Sequence, residues 1–247
     1  TVSPTPSAAI SYAGSPYCSD GATAAVTQSG NTGGTYTSTE GMNIDAVTGA
    51  INLETSTPGT YTVTYSIAAT PSCDAFTTSA QVVITPAPSA TFVYDSASFC
   101  KNFGSIATPS FDGDAVAGTF TVDADGLVID PSTGAINPAT STAGTYIVTN
   151  TIPAANGCGE ATASVTVTII DAPIGTFTYA GPYCQDGTDP SPVLDGVAGT
   201  FGASPQGLSI DTETGVIDLS ASQAGTYTVT NTIAATTDCA AVTATTT

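Results

Sequence analysis

The chain has 247 residues and a formal net charge of −19, because 20 acidic residues stand against a single basic one and there is no histidine. A protein with one cation cannot neutralise a run of phosphates, which excludes nucleic-acid binding and charge-driven binding to an anionic membrane. No apolar run has the length of a transmembrane helix, so membrane insertion is not expected. No signal peptide opens the chain, and we expect it to be an internal piece of a longer protein.

The elements follow the same order three times along the chain. Each copy begins with a proline-containing segment, at residues 1–8, 85–88 and 171–173, which reads as a stiff linker. An aromatic strand, an early cysteine and a Gly-rich stretch come next. A Thr-Gly turn, a long Thr/Tyr/Val strand, a late cysteine and a closing strand complete the copy. About seven short strands with turns every 8–12 residues are typical of an all-β sandwich.

One passage marks the repeat most clearly. It reads GMNIDAVTGAINLETSTPGTYTVTYSI from Gly41 and recurs with changes from Gly126 and Gly207. Its Gly-Thr-Tyr element is spaced by 85 and 81 residues, and a unit of about 80 residues is marginally stable on its hydrophobic core alone. The third copy stops at Thr247, so its last strand is truncated. We predict three domains, at residues 1–87, 88–171 and 172–247.

The six cysteines are divided equally, with one early and one late cysteine in each repeat. Pairing within a repeat makes each unit self-contained and stabilises it by roughly 4 kcal/mol in the chain-entropy model. The rival is a bond between Cys73 and Cys100 that locks two neighbours together. Spacings typical of zinc ligands are missing, and disulfides imply an oxidising, extracytoplasmic compartment. We predict one disulfide per domain, as Cys18–Cys73, Cys100–Cys158 and Cys184–Cys239.

Three aspartates, Asp45, Asp130 and Asp211, stand at matching positions just before the Thr-Gly turn. The first interpretation is that each carboxylate accepts hydrogen bonds in an Asx-turn. The alternative is one calcium ligand per repeat, since calcium binds several oxygens. The joints between repeats lack the acidic motifs that calcium between cadherin domains requires. No cofactor is predicted, and these three residues are the calcium candidates.

The sequence lacks the residue types that nucleophilic catalysis needs. Ser and Thr are abundant, but there is no histidine to act as a base, and Lys101 is the only basic side chain. We therefore predict that the chain is not an enzyme. Several tyrosines near the early cysteines could stack on sugars, which makes a carbohydrate-binding module the alternative. Their alternation favours packing in or around the core. These tyrosines are Tyr12, Tyr17, Tyr94, Tyr179 and Tyr183.

The sequence GLSID-x-x-TG-x-I followed by AGTYTVT resembles the Ig-like and cadherin-like repeats of bacterial surface proteins. The Tyr-Cys pair and the later cysteine are more narrowly similar to repeats in giant secreted adhesins of the Bacteroidota, including gliding-motility adhesins. The resemblance implies three tandem Ig-like antiparallel β-sandwich domains in an extended extracellular rod, exported by type IX secretion. It implies no catalytic residues. Asp95-Ser96-Ala97 resembles the O-glycosylation acceptor pattern of the same phylum, which makes Ser96 a candidate glycosylation site.

The expected function is a structural stalk or adhesion repeat at the cell surface, which projects a binding tip. Its expected partners are neighbouring repeats of the same chain, with surface glycans or other copies as further candidates. A filament subunit, in which a strand from another copy completes the truncated third repeat, is a second structural hypothesis.

Overall fold

The computed structural model describes residues 4–247, and within that range the chain is all-β. It contains 20 strands and one short 3-10 helix at Pro138–Thr140, so the predicted fold class is confirmed. No helix in residues 4–247 is long and apolar enough to cross a membrane.

The chain forms two compact units. The first comprises residues up to 91 together with 111–119 and 150–163, and the second comprises 92–110, 120–149 and 164–247. These units do not follow the three sequence repeats, because the second repeat contributes residues to both. The division into three domains therefore stays a prediction, although the strand pattern recurs in each repeat.

The first repeat contains nine strands, of which β2, β9, β8 and β5 form one sheet in that order. A second sheet has the order β3-β7-β6, and β1 pairs with β4. The strands are β1 (Ala8–Ser11), β2 (Tyr17–Cys18), β3 (Thr23–Ala24), β4 (Thr27–Gly30), β5 (Thr35–Ser38), β6 (Asn43–Ile44), β7 (Ile51–Asn52), β8 (Gly59–Ile67) and β9 (Phe76–Thr85).

The short strand β2 pairs parallel with the C-terminal end of β9. Tyr17 lies opposite Ile84, and Cys18 lies opposite Thr85. Strands β8 and β9 are antiparallel, with Ile67 opposite Phe76 at the end where the two strands are connected. The early cysteine therefore lies at one end of β9, and the late-cysteine loop leads into the other end.

The linker predicted over residues 1–8 begins with three residues outside the described range. The rest of it is tied to the first repeat. The backbone N–H of Ser7 donates to Asn31 Oδ1 at 2.9 Å, and the N–H of Asn31 donates to the Ser7 carbonyl at 2.8 Å. Ala8 already belongs to β1. The segment from Ser7 onward is thus part of the folded repeat.

The second repeat has one sheet of order β10-β13-β12-β11. Strand β10 runs parallel to the end of β13, with Phe99 opposite Ile169 and Cys100 opposite Ile170, as β2 does beside β9. The strands are β10 (Ser98–Cys100), β11 (Thr119–Val122), β12 (Gly144–Ile152) and β13 (Ala161–Ile170).

The third repeat has a shorter closing strand than the other two, with five residues where β9 and β13 have ten. Tyr183 and Cys184, which match Tyr17 and Cys18, lie outside any strand. Its sheets are β16-β19-β20, β17-β18 and β14-β15. The strands are β14 (Phe177–Thr178), β15 (Val193–Leu194), β16 (Thr200–Ser204), β17 (Ser209–Ile210), β18 (Ile217–Asp218), β19 (Thr228–Ile233) and β20 (Val242–Thr246).

The long strands bury alternate residues, as the period-two pattern requires. In β8, Tyr61, Val63 and Tyr65 are buried, while the threonines between them face outward or are half-buried. Burying such side chains contributes about 1.5–3 kcal/mol each. The threonine-rich face is thus the solvent side of a sheet.

Candidate functional site

The disulfides join neighbouring repeats, and the prediction of one disulfide inside each repeat was wrong. Cys18 of the first repeat is bonded to Cys158 of the second, and Cys100 of the second is bonded to Cys239 of the third. The bonded residues are 140 and 139 positions apart. Cys73 and Cys184 have no disulfide partner, so the rival Cys73–Cys100 bond is also absent.

The length of the closing strand explains why Cys18 cannot reach Cys73. Cys18 lies beside Thr85 at the C-terminal end of β9, whereas Cys73 comes just before its N-terminal end. A ten-residue strand spans roughly 30 Å, at about 3.3 Å per residue. A disulfide requires Cα atoms less than about 7 Å apart. Cys18 is therefore too far from Cys73 to form a disulfide with it, and its partner comes from the next repeat.

The Cys18–Cys158 junction packs a loop of the second repeat against the end of the first. Gly157 has a φ of 82°, and a Cβ there would collide with the Pro16 carbonyl oxygen, so only glycine fits this approach. The Thr85 hydroxyl donates to the Asn156 carbonyl at 2.7 Å. The Cys158 sulfur lies 3.5 Å from the carbonyl oxygen of Pro86, at the joint between the repeats. Both sulfur-bearing residues are buried.

The Cys100–Cys239 junction repeats this arrangement with different polar groups. The Cys100 N–H donates to the Asp238 carbonyl at 3.3 Å. The side chain of Asn102 pairs with both backbone groups of Ala240, donating to its carbonyl at 3.0 Å and accepting from its N–H at 3.2 Å. Each junction thus combines a covalent bond with short polar contacts.

The candidate glycosylation site Ser96 lies at this second junction. Its hydroxyl is hydrogen-bonded to Asp238 Oδ1 at 3.5 Å and accepts from the Ser98 N–H at 3.2 Å. The side chain of Ser96 is half-buried. Glycosylation of Ser96 stays a prediction, and it would replace the hydroxyl hydrogen that Ser96 donates to Asp238.

A cavity of about 710 Å³ opens in the third repeat beside Cys184. Apolar side chains of the third repeat line this cavity. They include Tyr179, Leu208, Ile217, Leu219 and Val229.

Asp45, Asp130 and Asp211, here called the turn aspartates, build three near-identical turns. Asp45 Oδ1 accepts from the N–H groups of Val47 and Thr48 at 2.9 and 2.7 Å. The Gly49 N–H donates to the Asp45 carbonyl at 2.8 Å, and the glycine has a φ of 71°. Asp130 and Asp211 make the matching bonds. The Asx-turn interpretation is confirmed.

These hydrogen bonds favour the ionised carboxylate. Donation from Thr48 and Val47 lowers the pKa of Asp45. The Ser132 hydroxyl and N–H lower the pKa of Asp130, and Thr214 lowers that of Asp211. Each turn aspartate is exposed and stands in its own repeat. Calcium binds six to eight oxygens, and the turn aspartates each offer one carboxylate that is already engaged.

Within residues 4–247, one group of potential metal-ligand side chains lies close together, made of Cys18, Asp20 and Cys158. Its two sulfurs are bonded to each other. A disulfide sulfur is not a thiolate, and metals bind the thiolate. This group is therefore a junction and not a metal site.

Three tyrosines near the start of the repeats, Tyr12, Tyr94 and Tyr179, are hydrogen-bonded to the Thr-Gly turns. The Tyr12 hydroxyl donates to the Gly49 carbonyl and that of Tyr94 to the Gly134 carbonyl, each at 2.6 Å; Tyr179 donates to Gly215 in the same way. Burial raises the pKa of Tyr12 and Tyr94, and it raises the pKa of Tyr179 to about 12. Of the matching residues Tyr17, Phe99 and Tyr183, only Tyr183 is exposed. An aromatic platform repeated in every copy is therefore not formed by these residues.

Two buried asparagines were not singled out from the sequence. Asn150 donates to the carbonyls of Ala90 and Val116, each at 2.9 Å, and accepts from the Gly118 N–H at 2.7 Å. Asn231 makes the same three bonds in the third repeat. The first repeat has Tyr65 at this position, and its hydroxyl accepts from Gly34 at 2.8 Å. The sequence signal that could have identified them is a polar residue at an inward-facing position of the long strand.

Lys101, the one basic side chain, forms an ion pair with Asp171, with Nζ 3.2 Å from Oδ1. The Asp171 side chain is largely exposed. An exposed ion pair contributes little stability. Lys101 is thus a surface charge paired with an acid.

No family model matches the chain, and no curated protein matches it. Similar solved structures include a protocadherin gamma B7 EC3-6 cis-dimer, at 10% identity and TM-score 0.43 over 98% of this chain and 76% of that one. Drosophila N-cadherin EC1-4 shares 14% identity at TM-score 0.30 over 93% and 72% of the two chains. Sidekick-1 immunoglobulin domains 1-5 share 10% identity at TM-score 0.36 over 90% and 54%. These similarities carry no conclusion about a ligand or a partner.

Proposed function

We propose that the chain is a load-bearing stalk repeat of an extracellular surface protein, and that its length serves to project a binding tip. The observation that carries this proposal is the pairing of Cys18 with Cys158 and of Cys100 with Cys239. Each bond crosses from one sequence repeat to the next, so that neighbours are held covalently as well as through the chain. Disulfides of this kind persist in oxidising, extracytoplasmic environments.

The two disulfides shorten the covalent path that carries a pulling force. That path runs from Thr1 to Cys18, crosses to Cys158, returns to Cys100, crosses to Cys239 and ends at Thr247. It has about 83 residue steps, or roughly 280 Å when stretched, against about 840 Å for the reduced chain at about 3.4 Å per step. A stalk built in this way cannot be drawn out to its full contour length.

Single-molecule stretching of the chain between its two ends tests the proposal. Under oxidising conditions we expect the extension to stop near the shorter length, and under reducing conditions near the longer one. The Cys158→Ser/Cys239→Ser double variant is the control, because it should reach the longer length in both conditions. An oxidised wild-type chain that extends as far as the reduced one would rule out load sharing by the disulfides.

The finer parts of the proposal rest on the sequence. The resemblance to Bacteroidota adhesins supports type IX export and attachment at the cell surface. The charge of −19 supports mutual repulsion between neighbouring stalks, which favours extended arrays over clumping. No reaction is proposed for the chain, and its partners in this role are neighbouring repeats.

The carbohydrate-binding alternative has less support, because the tyrosine rings that could stack on sugars are mostly engaged in the core. Tyr12 and Tyr94 are buried and hydrogen-bonded through their hydroxyls. A glycan array probed with the purified chain separates this alternative from the stalk. We expect no binding above background, and saturable binding to one class of glycan would favour the module instead.

A further inference from the structure

One asparagine of the chain is followed by glycine, and it lies in a disulfide junction. The other seven asparagines precede Thr, Ile, Leu, Phe or Pro, whereas Asn156 precedes Gly157. A glycine has no side chain to hinder its own backbone nitrogen from attacking the asparagine amide, which makes this pair the most reactive one toward deamidation. We propose that Asn156 is a deamidation site, and that the closed Cys18–Cys158 junction prevents the reaction until the junction opens.

The reaction is an intramolecular substitution followed by hydrolysis. The backbone nitrogen of Gly157 loses its proton and attacks the side-chain carbonyl carbon of Asn156. A new C–N bond closes a succinimide ring, and the side-chain amide leaves with a proton as ammonia. Water then opens the ring at one of its two carbonyl groups. The product is aspartate or, when the chain continues through the former side chain, isoaspartate. Water is the only co-reactant.

Both reacting groups are accessible to water. Asn156 and Gly157 are exposed. Among the hydrogen bonds of residues 4–247, none engages the Gly157 N–H or the Asn156 side-chain amide. The bonds of this loop run instead between Ala155 and Cys158, with N–H to carbonyl distances of 3.1 and 2.9 Å. No hydrogen bond to either reacting group therefore has to be broken before the ring closes.

The backbone conformation of the turn opposes the reaction. Asn156 and Gly157 have φ values of 50° and 82° and connect the bridged residues Ala155 and Cys158, which is the geometry of a type I′ turn. In this turn the first central residue has a ψ of about +30°, so the Gly157 nitrogen points away from the Asn156 side chain. Ring closure requires a rotation about the Cα–C bond of Asn156 that brings the two together.

The contacts of the junction prevent that rotation. The Asn156 carbonyl accepts the hydroxyl hydrogen of Thr85 at 2.7 Å. Gly157 lies so close to the Pro16 carbonyl oxygen that a Cβ on it would collide. The next residue carries the disulfide to the first repeat. Rotation at Asn156 would break the first contact and displace the second, so a junction that opens is what releases the turn.

Isoaspartate at this position would keep the junction from closing as before. It adds one methylene to the main chain, and it converts the former Asn156 carbonyl beside Thr85 into a carboxylate. Either product adds one negative charge to a chain whose net charge is −19. The matching turns before the other late cysteines, Pro71-Ser72 and Thr237-Asp238, contain no asparagine. Deamidation therefore marks, irreversibly, a chain whose first junction has opened.

The test follows deamidation in Cys18→Ser, which removes the first disulfide and leaves the sequence around Asn156 unchanged. Cys100→Ser, which removes the second disulfide, is the matched control. The proteins are incubated at neutral pH, and the peptide containing Asn156 is analysed by mass spectrometry and by labelling with isoaspartyl methyltransferase. We expect the rate in Cys18→Ser to be about tenfold higher than in the wild type or more, because a disulfide typically contributes more than the roughly 1.4 kcal/mol that corresponds to a factor of ten. Cys100→Ser should match the wild type.

A second pair of variants separates opening of the junction from general unfolding. Thr85→Val removes the bond to the Asn156 carbonyl and keeps both disulfides, so we expect a rate between those of the wild type and Cys18→Ser. Thr62→Val, at an exposed threonine of β8, should leave the rate unchanged. Equal rates in the wild type and Cys18→Ser, an equal rise in Cys100→Ser, or a Thr85→Val rate no higher than that of Thr62→Val would overturn the proposal. The inference rests on the junction and not on the stalk function.

Discussion

The hydroxyl of Tyr12 donates a hydrogen bond of 2.6 Å to the carbonyl oxygen of Gly49, 37 residues further along the chain. Both residues are buried. The bond ties the end of the first strand to the turn built by Asp45, and each of the other repeats contains its counterpart. In each repeat, a tyrosine, a glycine and an aspartate at matching positions thus connect the start of the repeat to the Thr-Gly turn.

Removing this hydroxyl should destabilise the first repeat. In Tyr12→Phe the Gly49 carbonyl loses its donor in a buried site, at a cost of about 1–2 kcal/mol in the free energy of unfolding. Tyr17→Phe is the matched control, because the Tyr17 hydroxyl accepts only an exposed bond from Gly14, and we expect a change within about 0.5 kcal/mol. Chemical denaturation followed by tyrosine fluorescence compares the two. Equal midpoints for both variants would show that the Tyr12 bond is unimportant.

Asn150 should be among the most sensitive polar positions in the chain. It is fully buried, and Asn150→Ala leaves two carbonyls and one N–H without their partner. An unsatisfied buried group costs about 1–3 kcal/mol, so we expect a large fall in the denaturation midpoint. Asn43→Ala, which removes an exposed bond to Thr55, is the control. A fall in Asn150→Ala no larger than in the control would contradict the buried network.

The lowered pKa values of the turn aspartates predict that the protein loses stability in acid. Hydrogen bonds hold the pKa of these aspartates below the ordinary value of 3.8 in the folded state. Their contribution to the free energy of unfolding is therefore fully present when the pH is above that ordinary value. It is lost as the pH falls through the folded pKa. The melting temperature should therefore drop as the pH is lowered below about 4. It is measured by thermal melts at a series of pH values.

Asn at all three turn positions provides the comparison. An asparagine Oδ1 can still accept the backbone N–H bonds, but it does not titrate in this range. The Asp45→Asn/Asp130→Asn/Asp211→Asn variant should show a shallower decline, with a remainder from Asp218, whose pKa is also lowered by the Ala221 N–H. An identical pH dependence in the variant and the wild type would show that these carboxylates do not carry the effect.

Calcium should leave the melting temperature unchanged. Each turn aspartate already accepts two or more hydrogen bonds through Oδ1 and stands alone in its repeat, whereas calcium binds through six to eight oxygens. Thermal melts with millimolar calcium and with a chelator provide the measurement. A rise with calcium that the chelator reverses, and that disappears in Asp45→Asn, would restore the calcium hypothesis.

The local features of the fold could be predicted because the signals for them lie close together in the sequence. Alternation in Tyr61, Val63 and Tyr65 indicated a strand with one buried face, and the glycine of the Thr-Gly pair indicated a turn with positive φ. The turn aspartates were interpreted correctly for the same reason, since their bonds reach only two or three residues ahead.

The disulfide pairing could not be predicted from those signals. It depends on the parallel contact between β2 and the far end of β9, which separates Cys18 from Cys73 by the length of a strand. Loop-closure entropy favours neither pairing strongly, because it changes slowly with loop length. The roles of Asn150 and Asn231 were missed for a related reason. Their hydrogen-bond partners lie 32 to 60 residues away in the sequence.

The pairing of the cysteines across repeats is the central claim, and peptide mapping under non-reducing conditions tests it most directly. Free thiols are first alkylated, and the chain is then cut at aspartates, because its single lysine leaves trypsin little to cleave. Linked peptides containing Cys18 with Cys158 and Cys100 with Cys239 are the predicted result, with Cys73 and Cys184 alkylated in the monomer. Recovery of Cys18 linked to Cys73, or of Cys100 linked to Cys158, would contradict it.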